Sequence, residues 1–92
     1  MKESKVLKVL VTNDIVRNFA YFSCNFPIDF IESVWSNERL MANHLREKLT
    51  YYQRLSGENY ITVGCFMTWF MNLDSGNQNL LLDWIYENYR GV

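Results

Sequence analysis

The sequence contains few of the residue types that mark metal sites, disulfide scaffolds and nucleotide-binding loops. Its 92 residues include one proline, one histidine, two cysteines and four glycines. Two cysteines are too few for a disulfide scaffold, and one histidine leaves any zinc site to be assembled from scattered ligands. The glycines are isolated and form no phosphate-binding loop. We therefore predict a non-catalytic protein with no metal and no cofactor, and infer no small-molecule substrate.

The two cysteines, Cys24 and Cys65, both lie in apolar stretches. A thiol in such surroundings packs as a small hydrophobic group and is a poor nucleophile, because apolar surroundings disfavour the thiolate. We expect both to be structural, and a single bridge between them stays open.

Neither charge nor hydrophobic length points to a membrane. Nine basic and ten acidic side chains give a formal net charge of -1, so no overall field recruits nucleic acid or anionic lipid. The most apolar stretch, residues 60–73, is shorter than the roughly 20 residues that cross a bilayer. Residues 6–11 are interrupted by Lys8 and followed by no cleavage site. These features predict a cytoplasmic protein.

Apolar residues make up 49% of the chain and aromatic residues make up 16%. This composition excludes a disordered chain and predicts one folded domain over residues 1–92, with residues 1–5 frayed. A domain of this size does not easily bury so much apolar surface, so self-association is a possible outcome.

The spacing of apolar residues predicts a compact all-α bundle of about five helices. The first helix follows Thr12 as its N-cap, and Gly57 supplies a left-handed cap at the end of the third. Ser75 and Gln78 fit a Ser-x-x-Gln capping box before the fifth. The predicted ranges of the second to fifth helices are 27–35, 38–55, 60–73 and 76–90.

Residues 60–73 are expected to form a buried helix around which the others pack. The alternative is an α+β fold in which residues 6–11 and part of 60–73 are strands, because residues 60–73 are rich in types that favour strands. The length of the segment favours the helix.

The periodicity also predicts which side chains face the core. In the second helix the predicted buried residues are Ile28, Ile31, Val34 and Trp35. In the third helix the predicted apolar arc consists of Leu40, Met41, Leu45, Leu49, Tyr51, Tyr52 and Leu55.

A polar stripe on the third helix is one candidate binding surface. Arginine, asparagine and glutamine are the residues that read base edges, and the helices predicted at 27–35 and 38–55 have the order of a helix-turn-helix. A small DNA-binding regulator is therefore the alternative function. A solvated helix face is favoured over it, because the chain is not basic. The stripe contains Arg39, Asn43, Arg46, Gln53 and Arg54.

His44 and Lys48 are a second candidate, because both fall within the predicted apolar arc of the third helix. They could line a polar pocket in which His44 acts as acid or base and Lys48 holds an anion. The favoured interpretation is structural: Lys48 reaches a carboxylate and His44 bonds a neighbouring carbonyl.

The third candidate is a surplus of aromatic residues on the last two helices: Trp69, Trp84 and Tyr89. Such side chains often anchor protein interfaces. The favoured function is a protein-interaction module that binds either another protein or, as a homodimer, itself. The competing interpretation is that a small core uses these residues internally.

Overall fold

The computed structural model describes residues 13–35, 38–55 and 57–89, which form five α-helices and one 3₁₀ helix and include no strand. The all-α prediction is confirmed, and the strand alternative is wrong for residues 61–71 because they are helical. Residues 1–5, residues 6–11 and Thr12 lie outside the described part of the chain. In order, the elements are α1 (Asp14–Ser23), α2 (Ile28–Val34), α3 (Ala42–Leu55), the 3₁₀ helix (Glu58–Tyr60), α4 (Ile61–Met71) and α5 (Ser75–Asn88).

The N-caps of α1 and α5 are not the residues predicted from the sequence. Asn13 is the N-cap of α1, where its Oδ1 accepts hydrogen bonds from the backbone N–H groups of Ile15 at 2.9 Å and Val16 at 3.2 Å. Asp74 is the N-cap of α5, and its Oδ1 accepts from the Asn77 N–H at 2.7 Å. The capping-box prediction at Ser75 is therefore wrong, because a better acceptor precedes it by one residue.

The third helix begins at Ala42 rather than at residue 38. Arg39 lies before it and directs its guanidinium to α5, where Nε pairs with the Asp83 carboxylate. At the other end Gly57 has φ 102° and ψ 166°. A positive φ favours glycine, so the prediction that glycine is needed here is right. The predicted left-handed helical cap is wrong, because the ψ angle is that of an extended backbone.

Phe19 on α1 occupies the centre of the core and is fully buried. Its ring meets those of Tyr89 at 5.1 Å, Phe66 at 5.7 Å and Trp84 at 6.0 Å, in edge-on arrangements that aromatic pairs favour. Helix α4 packs against α3 and α1, and α1 also packs against α5. The segment predicted to be central is thus a helix of the bundle that contacts α1, α3 and the 3₁₀ helix.

The buried faces of α2 and α3 are narrower than predicted. Ile28 is 72% exposed, whereas α2 buries Phe30 and Val34. Ile28 belongs to the first turn after Pro27, which is the N-cap, and its side chain leaves the face that Phe30 and Val34 share. Helix α3 buries Leu45, Leu49 and Tyr52, while Met41, Tyr51 and Leu55 of the predicted arc are exposed.

Gln78 is the one buried polar side chain among the described residues, at 2% exposure. Its Nε2 donates to the Phe70 carbonyl at 2.9 Å, and its Oε1 accepts from Nη2 of Arg46 at 2.9 Å. The side chain therefore joins the last turn of α4 to α3 and α5. None of the helices in the described ranges has the length and apolar character of a membrane span.

Candidate functional site

An open groove of about 540 Å³ lies between the start of α2 and the start of the 3₁₀ helix and α4. The turn at Pro27, with φ −62° and ψ 146°, places the first turn of α2 on one side of it. The turn at Gly57 places the 3₁₀ helix on the other side. The residues lining this groove are Asn25, Pro27, Ile28, Asp29, Glu58, Asn59 and Thr62.

The two sides of the groove are joined through Asp29. The Tyr60 hydroxyl donates to Asp29 Oδ2 at 2.5 Å, and the Tyr52 hydroxyl donates to the Asp29 carbonyl at 3.3 Å. The hydrogen bond to the carboxylate, with a smaller contribution from burial, raises the pKa of Tyr60. These bonds connect α2 to α3 and to the 3₁₀ helix, so they hold the groove in shape.

The charge of the groove is negative. Asp29 and Glu58 each lie in the first turn of their helix, where a carboxylate interacts favourably with unpaired backbone N–H groups. Neither carboxylate has a cationic partner within residues 13–35, 38–55 and 57–89. The favourable interaction of a first-turn carboxylate with the helix N-terminus explains their positions, and the groove has an acidic lining.

Two exposed aliphatic side chains belong to this region: Ile28 lines the acidic groove, and Ile61 directly precedes Thr62, which also lines it. Ile28 is 72% exposed and Ile61, the first residue of α4, is 62% exposed. Burying one such side chain gains about 1.5–3 kcal/mol, so both are favourable contact points for a partner. The apolar spacing of the second helix predicts that Ile28 is buried, and no sequence pattern marks Ile28 or Ile61 for binding. The position of Ile28 directly after a proline cap was the one available signal.

The aromatic residues predicted as interface anchors lie at the edge of the core. Trp69 packs on Phe22, with ring centroids 5.3 Å apart, and Trp84 and Tyr89 pack on Phe19. All three are partly buried, and the indole nitrogen of Trp84 is buried with no hydrogen-bond partner in the described chain. Binding through these residues stays a prediction, and packing within the chain already accounts for them.

Tyr89 offers a test of this core assignment. Burial raises the pKa of its phenol above 10.0, and the neighbouring Trp35 indole opposes the increase. A raised pKa in the folded state stabilises the fold below about pH 10, and this contribution is lost as pH rises from there through the folded-state value.

We therefore expect Tyr89→Phe to lose less stability than the wild type between pH 8 and about pH 11. Urea unfolding at both pH values measures the difference. Tyr21→Phe is the control for the loss of a phenol hydroxyl, because Tyr21 is 81% exposed. Equal pH dependence in Tyr89→Phe and the wild type would show that Tyr89 is not buried as described.

The structure divides the predicted polar stripe. Arg39 pairs with Asp83 and Arg46 donates to Gln78, so both guanidinium groups are bonded to α5. The remaining members, Asn43, Gln53 and Arg54, are exposed on α3. Residues 35–41 separate α2 from α3, a longer connection than the turn of about three or four residues in a helix-turn-helix.

His44 and Lys48 are both exposed, so their predicted position on a core-facing surface is wrong. The reason is the narrow buried stripe of α3, which leaves the neighbouring side of the helix in solvent. The two residues share that side with Tyr51 and Leu55, which are also exposed. We call this set of four residues the α3 flank.

Both cysteines are exposed and unpaired, which contradicts the expectation that they pack in apolar surroundings. Cys24 follows the last turn of α1, where its Sγ lies 3.3 Å from the Ala20 carbonyl. Cys65 lies on the side of α4 away from Val63, Phe66 and Phe70. Within the described ranges, no three or more His, Cys, Asp or Glu side chains are grouped to hold a metal ion.

No protein-family model, curated protein or solved structure matches this chain. The function is therefore inferred from the groove and the surfaces beside it.

Proposed function

We propose that this protein is a non-catalytic protein-interaction domain whose binding surface is the groove between α2 and the 3₁₀ helix with α4. The observation that supports this most is the exposure of Ile28 and Ile61 beside an acidic groove. Aliphatic side chains beside charged groups match the usual composition of an interface, with an apolar centre and a polar rim.

The proposal places the binding surface away from Trp69, Trp84 and Tyr89, because these residues already pack against the core. We do not propose nucleic-acid binding. Arg39 and Arg46 are engaged with α5, and the groove itself carries acidic groups that repel phosphates.

We further propose that the domain acts in the cytoplasm. Cys24 and Cys65 are exposed and unpaired. Exposed thiols persist in the reducing cytosol and tend to be oxidised in secretory compartments.

The test is a comparison of proteins captured from the cells that express this chain. Ile28→Asp/Ile61→Asp replaces both aliphatic contacts by charge and should abolish capture of the specific partner, because partner binding would then bury unpaired carboxylates. Both positions are exposed, so the fold should tolerate the change. Quantitative mass spectrometry of the captured proteins, including untagged copies of this chain, gives the readout.

Tyr21→Asp is the matched control, because it adds a carboxylate at a still more exposed apolar position on α1. It should retain the partner. Equal capture by the wild type, the groove variant and the control would contradict the proposed function.

A further inference from the structure

We infer that the occupant of the groove is a second copy of this chain, which inserts its α3 flank. The inference rests on the proposed function and identifies the partner of the same groove. It commits to a symmetric dimer in which each copy supplies one groove and one flank.

The α3 flank is complementary to the groove, because it is basic where the groove is acidic and also has exposed apolar side chains. Tyr51 is 58% exposed and Leu55 is 43% exposed, and Lys48 lies between His44 and Tyr51 along the same side of the helix. Lys48 has no carboxylate partner within the described residues. The flank therefore presents a cation together with an aromatic and an aliphatic side chain.

The groove presents the opposite charge beside aliphatic side chains. Ile28, Asp29 and Glu58 line it, and the exposed Ile61 directly precedes Thr62, which also lines it. Pairing the flank with the groove brings an ammonium group to two carboxylates and buries four exposed apolar side chains. Complementary charges suppress wrong partners and fix the register of an interface, while the apolar contacts supply most of the affinity.

Tyr52 connects the flank to the groove: its hydroxyl donates to the Asp29 carbonyl, and its ring meets that of Tyr60 at 5.8 Å and that of Tyr51 at 5.1 Å. A two-fold axis that sets one flank against the partner's groove also sets the partner's flank against the first groove, because the two halves of a symmetric interface are self-complementary. The two contacts then form together.

Charge exchange between the two halves tests this arrangement. The first variant, Asp29→Lys/Glu58→Lys, reverses the groove, and the second, Lys48→Glu, reverses the flank. Sedimentation velocity over a concentration series should show a wild-type dimer and a dissociation constant raised at least about tenfold in each variant, because like charges then face each other. An equimolar mixture of the two variants should form a heterodimer.

The mixture is the specific arm of the experiment. In a mixed dimer one contact joins a lysine groove to Glu at position 48, and the other joins the natural acidic groove to the natural Lys48. Both contacts are attractive, whereas each variant alone has only repulsive ones. A surface that merely became less favourable for association would not be restored by mixing.

Asp14→Lys is the matched control, since Asp14 is also an exposed first-turn carboxylate, at the start of α1. It should leave the dimer intact. Circular dichroism checks the fold of every variant, and Asp29→Asn/Glu58→Gln replaces the lysine variant if that one does not fold. The neutral variant should still weaken the dimer.

Three results would overturn the inference: a wild-type monomer at every concentration, a dimer insensitive to these charges, or no heterodimer from the mixture. If the wild type is monomeric while Ile28→Asp/Ile61→Asp still abolishes capture of a different protein, the second copy is excluded and the proposed function stands. If Ile28→Asp/Ile61→Asp also leaves capture unchanged, both the second copy as occupant and the proposed function are contradicted.

Discussion

Phe19→Ala is expected to lower the free energy of unfolding by about 3–5 kcal/mol, the usual cost of removing a fully buried phenylalanine. Phe19 is inaccessible to solvent, and its ring is surrounded edge-on by the rings of Phe26, Trp35, Phe66, Trp84 and Tyr89. Small domains have a total stability of about 5–15 kcal/mol, so this one change removes a large share of it. Urea unfolding followed by tryptophan fluorescence, at one protein concentration, measures the loss.

Tyr21→Ala provides the comparison on the same helix, because Tyr21 is 81% exposed and its removal should change stability by no more than about 0.5 kcal/mol. A similar, small loss in both variants would contradict the central position of Phe19. Phe19→Leu should fall between the two, since leucine fills part of the cavity.

Gln78→Leu is expected to cost about 1–3 kcal/mol, although leucine has a similar volume. The change leaves the Phe70 carbonyl without the amide donor at 2.9 Å and leaves the Arg46 guanidinium without its acceptor. The cost is that of two lost hydrogen bonds, because the Phe70 carbonyl keeps the Leu73 N–H at 3.1 Å and the Arg46 side chain is exposed to solvent. The unfolding midpoint in urea reports the effect.

A double-mutant cycle with Arg46→Met separates the two bonds of Gln78. Arg46→Met should cost less than Gln78→Leu, because Gln78 keeps its bond to the Phe70 carbonyl. The double variant should cost less than the sum of the two single variants, since the Arg46 to Gln78 bond is lost only once. Strict additivity would show that the two side chains do not interact.

Gln78 also shows that a local sequence pattern does not predict the hydrogen-bond partners of a buried side chain. Its position three residues after Ser75 fits a capping box, and the helix does begin there. The amide instead bonds to Phe70 and Arg46, which are distant in sequence, and Asp74 provides the cap. Helix type and approximate position follow from periodicity, whereas the partner of a buried amide depends on tertiary packing.

The same limit applies to predicting which side of each helix is exposed. Apolar spacing identified the helices, but Ile28, Tyr51 and Leu55 were assigned to the core because a helical wheel does not show how wide a stripe the neighbouring helices cover. The small footprint of α2 on α3 leaves one side of α3 in solvent, and the residues predicted as core become candidate contacts.

The groove could not be predicted from sequence, because its two sides lie far apart in the chain. Asp29 and Glu58 are brought to one place by the bonds from Tyr60 and Tyr52 to Asp29. Each acidic residue alone resembles an ordinary first-turn carboxylate. The proposed binding surface depends on their shared position in a groove that Ile28 also lines.

The most direct measurement of the proposed function is photo-crosslinking in living cells with a photoreactive phenylalanine analogue placed at position 61, and separately at position 21. Both side chains are exposed, at 62% and 81%, but only Ile61 is next in sequence to a residue that lines the groove, Thr62. A discrete crosslinked product from position 61, absent from position 21, is the expected result, and a mass of twice the chain would identify a second copy. No product from position 61, or the same products from both positions, would contradict the groove as the binding surface.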